Sequence, residues 1–153
     1  MSDHKATIIR WFEEVWNQGR RETIDELLAE DCVIHDGDSD ATGPEEFKAF
    51  FDRLQAAFSE IHITPRQAIS EGNFACLRWS ATMRHTGNAL GMLATQKLLH
   101  TSGISIGRFK DGRFVEAWQN WDMLGVIQQI TDEAASAKVY MGTPTKPAVA
   151  PDR

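Results

Sequence analysis

The residues with the clearest capacity for chemistry follow an Asp-Gly pair at positions 111–112. An Asp-Gly pair between two segments of high β-propensity is a strong signal for a two-residue hairpin turn. With this pair in the turn and an uninterrupted register, Asp122 lies opposite Thr101. A carboxyl group set among the aromatic side chains of Trp118 and Trp121 could transfer a proton to or from a bound molecule. The hairpin therefore predicts a site for general acid/base chemistry centred on Asp122.

The same register divides the hairpin between two faces of a sheet. Residues that oppose one another share a face, as do residues two apart. One face combines small residues with large polar ones, which leaves room for a pocket, although a slip of one residue would exchange the faces. The predicted pocket face carries Thr101, Gly103, Ser105, Gly107, Glu116, Trp118, Asn120 and Asp122. The opposite face carries Ile104, Ile106, Val115, Gln119 and Trp121.

Asp122 also has a purely structural interpretation. It directly precedes a short segment of helical character that begins at Met123. Aspartate is among the favoured helix N-cap residues, because its side chain accepts a hydrogen bond from a free N–H group of the first turn. The sequence leaves both roles open, and one does not exclude the other.

Four other side chains are candidates for a pocket. His35 ends a short strand before an acidic loop, and it is either a pocket residue or an exposed strand-end histidine. His85 either faces the pocket or hydrogen-bonds within the loop at 86–95. Arg78 either binds a carboxylate or enolate of a substrate or pairs with a neighbouring glutamate. The ring of Trp16 is suited to stacking on a flat ligand.

The acidic loop contains Asp36, Asp38 and Asp40, a spacing that opens a calcium-binding EF-hand loop. The pattern then fails, because Ala41 takes the position that needs glycine and Phe47 the position that needs glutamate. No pair of histidines has metal-ligand spacing either. We interpret the loop as a solvated turn and predict no metal site.

Composition and charge exclude several classes of partner. The chain has 153 residues, of which 42% are hydrophobic and 25% charged, and its formal net charge is −6. These values are ordinary for a soluble globular domain, and an acidic surface does not suit nucleic acid. No segment is apolar enough for a membrane span or signal peptide, so we expect a cytoplasmic protein. Cys32 and Cys76 fit neither a redox motif nor a zinc site and are expected to be buried thiols.

The periodicity of apolar residues predicts an α+β domain over residues 1–130, with helices first and a run of antiparallel strands after them. Helices are predicted at 4–18, 22–29, 44–59 and 123–130. Strands are predicted at 31–36, 61–69, 73–85, 96–109 and 113–122, with a polar loop at 37–43. Residues 131–153 are rich in Thr, Ala, Pro and Lys, which predicts a tail that is mobile or draped on a partner subunit.

Three stretches between His35 and Ile130 resemble the SnoaL-like polyketide cyclases and ester cyclases of the NTF2-like superfamily. They are HDGDSDATGPEEFKAFF, AISEGNFACLRWSATMRHTG and GISIGRFKDGRFVEAWQNWDMLGVIQQI. The resemblance implies an NTF2-like cone, in which N-terminal helices pack on a curved antiparallel sheet and enclose a pocket, and dimers that form through the sheet. It also implies that His35 faces the pocket. In characterised relatives the aspartate that matches Asp122 is the general acid/base of an aldol ring closure, which needs no metal or cofactor.

Two functions from different classes follow. The first is an enzyme that performs cofactor-free cyclisation or isomerisation of a hydrophobic, enolisable small molecule. In that hypothesis Asp122 is the proton shuttle, and His35 and His85 orient or polarise the substrate. Substrate binding is assigned to Trp118, Asn120, Trp16, Thr101 and Arg78. The second hypothesis is a non-catalytic dimer that binds a small ligand on the same fold, with Asp122 serving only as a helix cap.

Overall fold

The computed structural model describes residues 3–131. Four α-helices are present: α1 (His4–Trp11), α2 (Glu22–Leu27), α3 (Gly43–Ala57) and α4 (Met123–Thr131). Helix α1 continues directly into a π-helical segment, Phe12–Asn17, and together they occupy the first predicted helix. Pro44 stands in the first turn of α3, where its missing N–H group has no helical partner to lose. The helices carry the apolar faces that the periodicity predicted.

Six strands form one curved sheet that does not close on itself. They are β1 (Leu28–Asp36), β2 (Ser39–Thr42), β3 (Phe58–Glu71), β4 (Phe74–His85), β5 (Leu98–Lys110) and β6 (Arg113–Trp121). Their order across the sheet is β2-β1-β6-β5-β4-β3. The predicted α+β class is confirmed.

Two details of the sheet correct the sequence-based expectation. Strand β2 lies within the segment predicted as a polar loop, and it pairs antiparallel with β1. Strand β1 runs parallel to β6, so the sheet is mixed rather than wholly antiparallel. This parallel pair joins the early part of the chain to the last hairpin. The sequence of neither strand indicates that the pairing is parallel.

The β5–β6 hairpin has the predicted turn but a different register beyond it. Asp111 and Gly112 both have positive φ angles, as an Asp-Gly hairpin turn requires, and Lys110 pairs with Arg113. The register shifts by one residue between Arg108 and Phe109.

The shift leaves Val115 of β6 without a register partner on β5, and this β-bulge exchanges the faces of the β6 residues that follow it. The small residues of β5 therefore share a face with Ala117, Gln119 and Trp121, whereas Trp118 and Asn120 pair with Ile106 and Ile104. The predicted assignment of the two β6 faces is thus corrected.

The core lies between the helices and the inner face of the sheet. It contains aromatic residues of the N-terminal helical region, such as Trp11, Phe12 and Trp16, against Leu77 and Trp79 of β4. Residues 4–131 thus form one cluster of helices around one sheet. The predicted tail at 131–153 falls almost entirely outside the described residues. Among residues 3–131, no helix is long and apolar enough to cross a membrane.

Candidate active site

A cavity of about 750 Å³ lies between the helices and the inner face of the sheet. Its wall is mostly apolar, with Phe12 and Trp16 from the N-terminal region and Phe50 and Leu54 from α3. A smaller hollow, which shares these four residues, continues beneath α3 toward β3 and β4. The wall also includes charged side chains, among them Glu46 and Arg53 of α3, and a cavity of this size is the usual form of a small-molecule site.

A row of polar side chains crosses the sheet within this apolar wall. Asp36 at the end of β1 is the register partner of Gln119 on β6, and Gln119 is in turn the partner of Ser105 on β5. All three residues line the cavity. Because register partners share a face of the sheet, the three side chains lie side by side on the inner face. The row brings a carboxyl, an amide and a hydroxyl group to one place.

Asp36 is the carboxyl of this row, and it is half-buried in the cavity wall. Burial raises the pKa of Asp36 above its ordinary value of 3.8, because the charged form loses contact with water. A hydrogen bond from the Trp121 side chain opposes this effect without cancelling it. A carboxyl whose proton is held more firmly than usual is suited to both giving and taking a proton.

Gln119 and Ser105 belong to a hydrogen-bonded chain that begins in the core. The indole Nε1 of buried Trp79 donates to the Ser105 hydroxyl oxygen at 3.1 Å. The Ser105 hydroxyl donates to the Gln119 Oε1 oxygen. Within the described part of the chain, the Gln119 side-chain nitrogen has no hydrogen-bond partner. The chain therefore leaves an amide N–H₂ group available at the cavity.

Three of the predicted site residues border the cavity. They are Trp16, Trp118 and Asn120. Trp16 is buried and contacts both the main cavity and the smaller hollow. Trp118 and Asn120 border it from β6, although the bulge places them on the opposite face from Gln119. The Trp118 ring is directed away from the core, since its neighbours include the exposed ring of Phe74, with centroids 6.4 Å apart.

Asp122 does not line the cavity, and its side chain is exposed. One carboxylate oxygen accepts a hydrogen bond from the backbone N–H of Gly125 at 2.9 Å, which is an N-cap bond to the first turn of α4. Thr101 is buried beside Asp122, and its hydroxyl donates a hydrogen bond to the Asp122 backbone carbonyl at 3.2 Å. Thr101 also lies outside the cavity wall. The cap interpretation of Asp122 thus describes its observed contacts, and Thr101 secures the end of β6.

The predicted pocket position of His35 is corrected. His35 is the register partner of Trp118, on the outer face, whereas its neighbour Asp36 points inward. The His35 ring bridges two carboxylates, with Nδ1 2.9 Å from Asp40 and Nε2 2.9 Å from Glu116. These hydrogen bonds, first that to Glu116, raise the pKa of His35, and the same contact lowers the pKa of Glu116. His35 therefore ties β1 to β2 and β6.

His85 and Arg78 also lie away from the cavity. His85 is completely buried, and its Nδ1 accepts a hydrogen bond from the Thr95 backbone N–H at 3.2 Å. It thereby holds the loop between β4 and β5, as its structural interpretation proposed. Arg78 is exposed on β4, outside the cavity wall, and it forms no ion pair with any residue in the range 3–131.

Sequence reasoning missed Asp36 and Gln119 as residues that line the cavity. A signal for Asp36 was available in the sequence, because Cys32, Ile34 and Asp36 follow the period of two and the first two are apolar. Gln119 had no such signal, since its face depends on the bulge. In the described part of the chain, no group of three or more His, Cys, Asp or Glu side chains could hold a metal ion.

Comparison with known proteins places these features in a family. Residues 6–130 match the profile of the SnoaL-like polyketide cyclases. The chain is 25% identical over 151 residues to the aklanonic acid methyl ester cyclase DauD of Streptomyces sp. strain C5, covering 95% of this chain and 93% of that one. It is 27% identical over 128 residues to the aklanonic acid methyl ester cyclase DnrD of Streptomyces peucetius, and the match covers 80% of this chain and 88% of that one.

A solved structure shows the same architecture. A candidate polyketide cyclase from Acidithiobacillus ferrooxidans superposes with a TM-score of 0.77 at 26% sequence identity, over 86% of this chain and 96% of that chain. The family profile covers all the elements that enclose the cavity, from α1 to α4. The chain therefore belongs to the SnoaL-like polyketide cyclase family.

Proposed function

We propose that this protein catalyses an intramolecular, aldol-type ring closure of a hydrophobic, enolisable small molecule, with Asp36 as the group that moves the proton. Membership of the cyclase family supports a cyclase-type function. The observation that carries the proposal is a half-buried carboxyl in the wall of a large, mostly apolar cavity. The reaction needs no cofactor in this scheme.

The proposed reaction proceeds in two proton transfers. The Asp36 carboxylate takes a proton from the carbon next to a carbonyl group, and the enolate carbon attacks a second carbonyl carbon of the same molecule. A carbon–carbon bond forms, and the second carbonyl becomes an alkoxide. Asp36 returns the proton to the alkoxide oxygen, which regenerates the carboxylate. The product has the same atoms as the substrate, and one residue serves as base and then as acid.

The choice of Asp36 over Asp122 rests on position. A general base must come within hydrogen-bond reach of the proton that it takes. Asp36 lines the cavity, whereas the exposed carboxylate of Asp122 is engaged by the first turn of α4. The family resemblance favours Asp122, so the two residues are rival candidates for one role.

The test is exchange of the acidic carbon-bound hydrogen for deuterium. The protein is incubated in D₂O with aklanonic acid methyl ester and with polycyclic aromatic ketones, and deuterium incorporation and ring closure are followed by NMR. We expect Asp36→Asn to lower the exchange rate by about 100-fold or more. The matched control is Asp38→Asn, an exposed aspartate two residues away that does not line the cavity.

Either of two results would contradict the proposal. Full exchange activity in Asp36→Asn would show that Asp36 is not the group that moves the proton. Ligands that bind to the wild-type cavity without exchange or closure would favour the alternative, a non-catalytic binding protein.

We also propose that two copies of the chain associate through the outer face of the sheet. Ile104 and Ile106 are 49% and 38% exposed there, and Ile106 pairs with Trp118, which contacts Phe74. Together these four residues form a continuous apolar patch, the outer-sheet patch. Soluble monomers rarely leave such patches uncovered, and a second copy offers the same apolar surface.

A further inference from the structure

We propose that the Gln119 side-chain amide donates a hydrogen bond to the substrate carbonyl oxygen and stabilises the negative charge that forms on it. The inference rests on the proposed function only in placing an enolisable carbonyl compound in the cavity. It adds a second catalytic residue, and it assigns Ser105 and Trp79 as the residues that position it.

The direction of the hydrogen-bonded chain fixes which end of the Gln119 amide meets the cavity. An indole N–H can only donate, so Ser105 must accept from Trp79. The single Ser105 hydroxyl proton is then free to donate, and its acceptor is the Gln119 oxygen. The Gln119 nitrogen is consequently the atom left without a partner among residues 3–131. It can donate but not accept, so it selects a ligand oxygen.

The position of Gln119 relative to Asp36 suits one substrate group. The two residues are register partners on adjacent parallel strands, on the inner face. Side chains at such positions are neighbours on one face of the sheet, and both of these border the same cavity. A carbon-bound hydrogen and the carbonyl oxygen next to it are separated by two atoms. Asp36 could therefore reach the hydrogen while Gln119 contacts the oxygen.

The environment makes this donor effective. Phe12, Trp16 and Phe50 provide a wall of low polarity around it. A fixed donor in such a site stabilises a developing oxyanion far better than water does, because it needs no reorientation during the reaction. An uncharged donor also avoids an ion pair with Asp36, which would keep that carboxylate ionised and make it a weaker base.

The experiment measures the ionisation of 2-naphthol bound in the cavity, because its anion places negative charge on an oxygen as an enolate does. It is carried out in Asp36→Asn protein, which removes the competing carboxylate, and the naphtholate absorption is followed against pH. We compare Asp36→Asn with Asp36→Asn/Gln119→Leu, which loses the donor at similar side-chain volume. We expect the second variant to bind naphtholate at least tenfold more weakly, with less change for neutral 2-naphthol.

A matched pair of variants tests the positioning residue Ser105. Ser105→Ala, in the same Asp36→Asn background, should weaken naphtholate binding because it frees the Gln119 amide to rotate. Ser102→Ala, on the same strand but with an exposed side chain outside the cavity wall, should not. Thermal midpoints measured in parallel separate a change in binding from a loss of the fold.

Equal naphtholate affinity with and without Gln119 would overturn the inference. Failure of Asp36→Asn to bind naphtholate at millimolar concentration would overturn it too, since an open donor in a cavity of this size must favour the anion. The readout needs no turnover, so it is independent of the exchange assay. In one combination of results, the ionisation of bound 2-naphthol depends on Gln119 while the wild-type protein shows no deuterium exchange. That combination would uphold Gln119 as a donor and refute the proposed function.

Discussion

At the scale of single residues, the environment of Asp36 distinguishes it from the other acidic groups of the β1–β2 region. Burial penalises its charged form and raises its pKa, whereas Asp38 and Asp40 are exposed near the same turn. The hydrogen bond from Trp121 shows that the carboxylate is not left wholly without a polar partner. The ionised form of a group held in this way costs stability, a trade that is common in active sites.

This cost gives a prediction for stability against pH. The folded-state pKa of Asp36 is raised, so the native state binds its proton more tightly than the unfolded chain does. The resulting stabilisation is complete below the ordinary pKa of 3.8 and is lost as pH rises through the folded-state value. Asp36→Asn cannot ionise and escapes this loss. We therefore expect it to be more stable than wild type at pH 7, and the difference to shrink toward pH 3.

Differential scanning calorimetry from pH 3 to pH 8 checks this expectation, with Asp38→Asn as the exposed control. A wild-type protein that is more stable than Asp36→Asn at neutral pH would show that the ionised carboxylate is well solvated or paired. It would therefore not be a group with a raised pKa.

Among the site residues, predictability from sequence followed the strength of the local pattern. Trp16 was predicted from its helical spacing and borders the cavity. Asp36 could have been inferred from the period of two in β1, but together with Asp38 and Asp40 it was interpreted as part of a solvated turn. Gln119 was placed on the wrong face, because alternation alone cannot reveal a bulge. The polar row of Asp36, Gln119 and Ser105 therefore depends on the strand register, which cannot be read directly from the sequence.

At the scale of elements, the start of α4 depends on one capping residue. Asp122 accepts the Gly125 N–H, and its backbone carbonyl accepts from Val126 at 3.3 Å. We predict that Asp122→Ala lowers the free energy of unfolding by about 1 kcal/mol, because the cap bond is lost. Asp122→Asn should stay close to wild type, since asparagine caps equally well.

Urea denaturation of the two variants measures this difference. If Asp122→Ala and Asp122→Asn are equally destabilised, or if neither is, the side chain is not acting as a cap. A role for the Asp122 carboxylate in proton transfer would then regain support.

The elements themselves were largely predictable, and their pairing was not. Periodicity and turn residues located all four helices and five of the strands, and the Asp-Gly turn formed as expected. Strand β2 was missed because its residues, Ser39–Thr42, are polar and mostly exposed, so no apolar alternation marks them. The parallel pairing of β1 with β6 joins segments far apart in sequence, and no local signal encodes it.

At the scale of the whole molecule, the two faces of the sheet serve different purposes. The polar row of the cavity lies on the inner face and the outer-sheet patch on the outer face, although Ile106 and Trp118 of the patch also border the cavity. The hydrogen bonds of His35 with Asp40 and Glu116 lie at the border of that patch, beside Trp118. The bulge at Val115, opposite Arg108 and Phe109, determines which β6 residues belong to each face, so the cavity wall and the outer-sheet patch both depend on it.

The outer-sheet patch predicts an assembly that a single substitution should disrupt. We expect the wild-type protein to be a dimer at micromolar concentration and Ile106→Glu to be a monomer that keeps its fold, because a buried charge would lie in the interface. Leu93→Glu is the control, since Leu93 is 81% exposed but lies in the β4–β5 loop. Light scattering after size exclusion measures the masses. A monomeric wild type, or a dimer unaffected by Ile106→Glu, would contradict the assignment.

The most direct test of the central claim compares Asp36→Asn with Asp122→Asn in the deuterium-exchange assay. Both substitutions remove a carboxylate, and each leaves a side chain of similar shape that can still accept a hydrogen bond. With Asp36 as the proton carrier, the exchange rate falls by about 100-fold or more in Asp36→Asn and stays within about tenfold of wild type in Asp122→Asn. The reverse pattern, with exchange abolished by Asp122→Asn and retained by Asp36→Asn, would return the proton transfer to Asp122 and contradict the account.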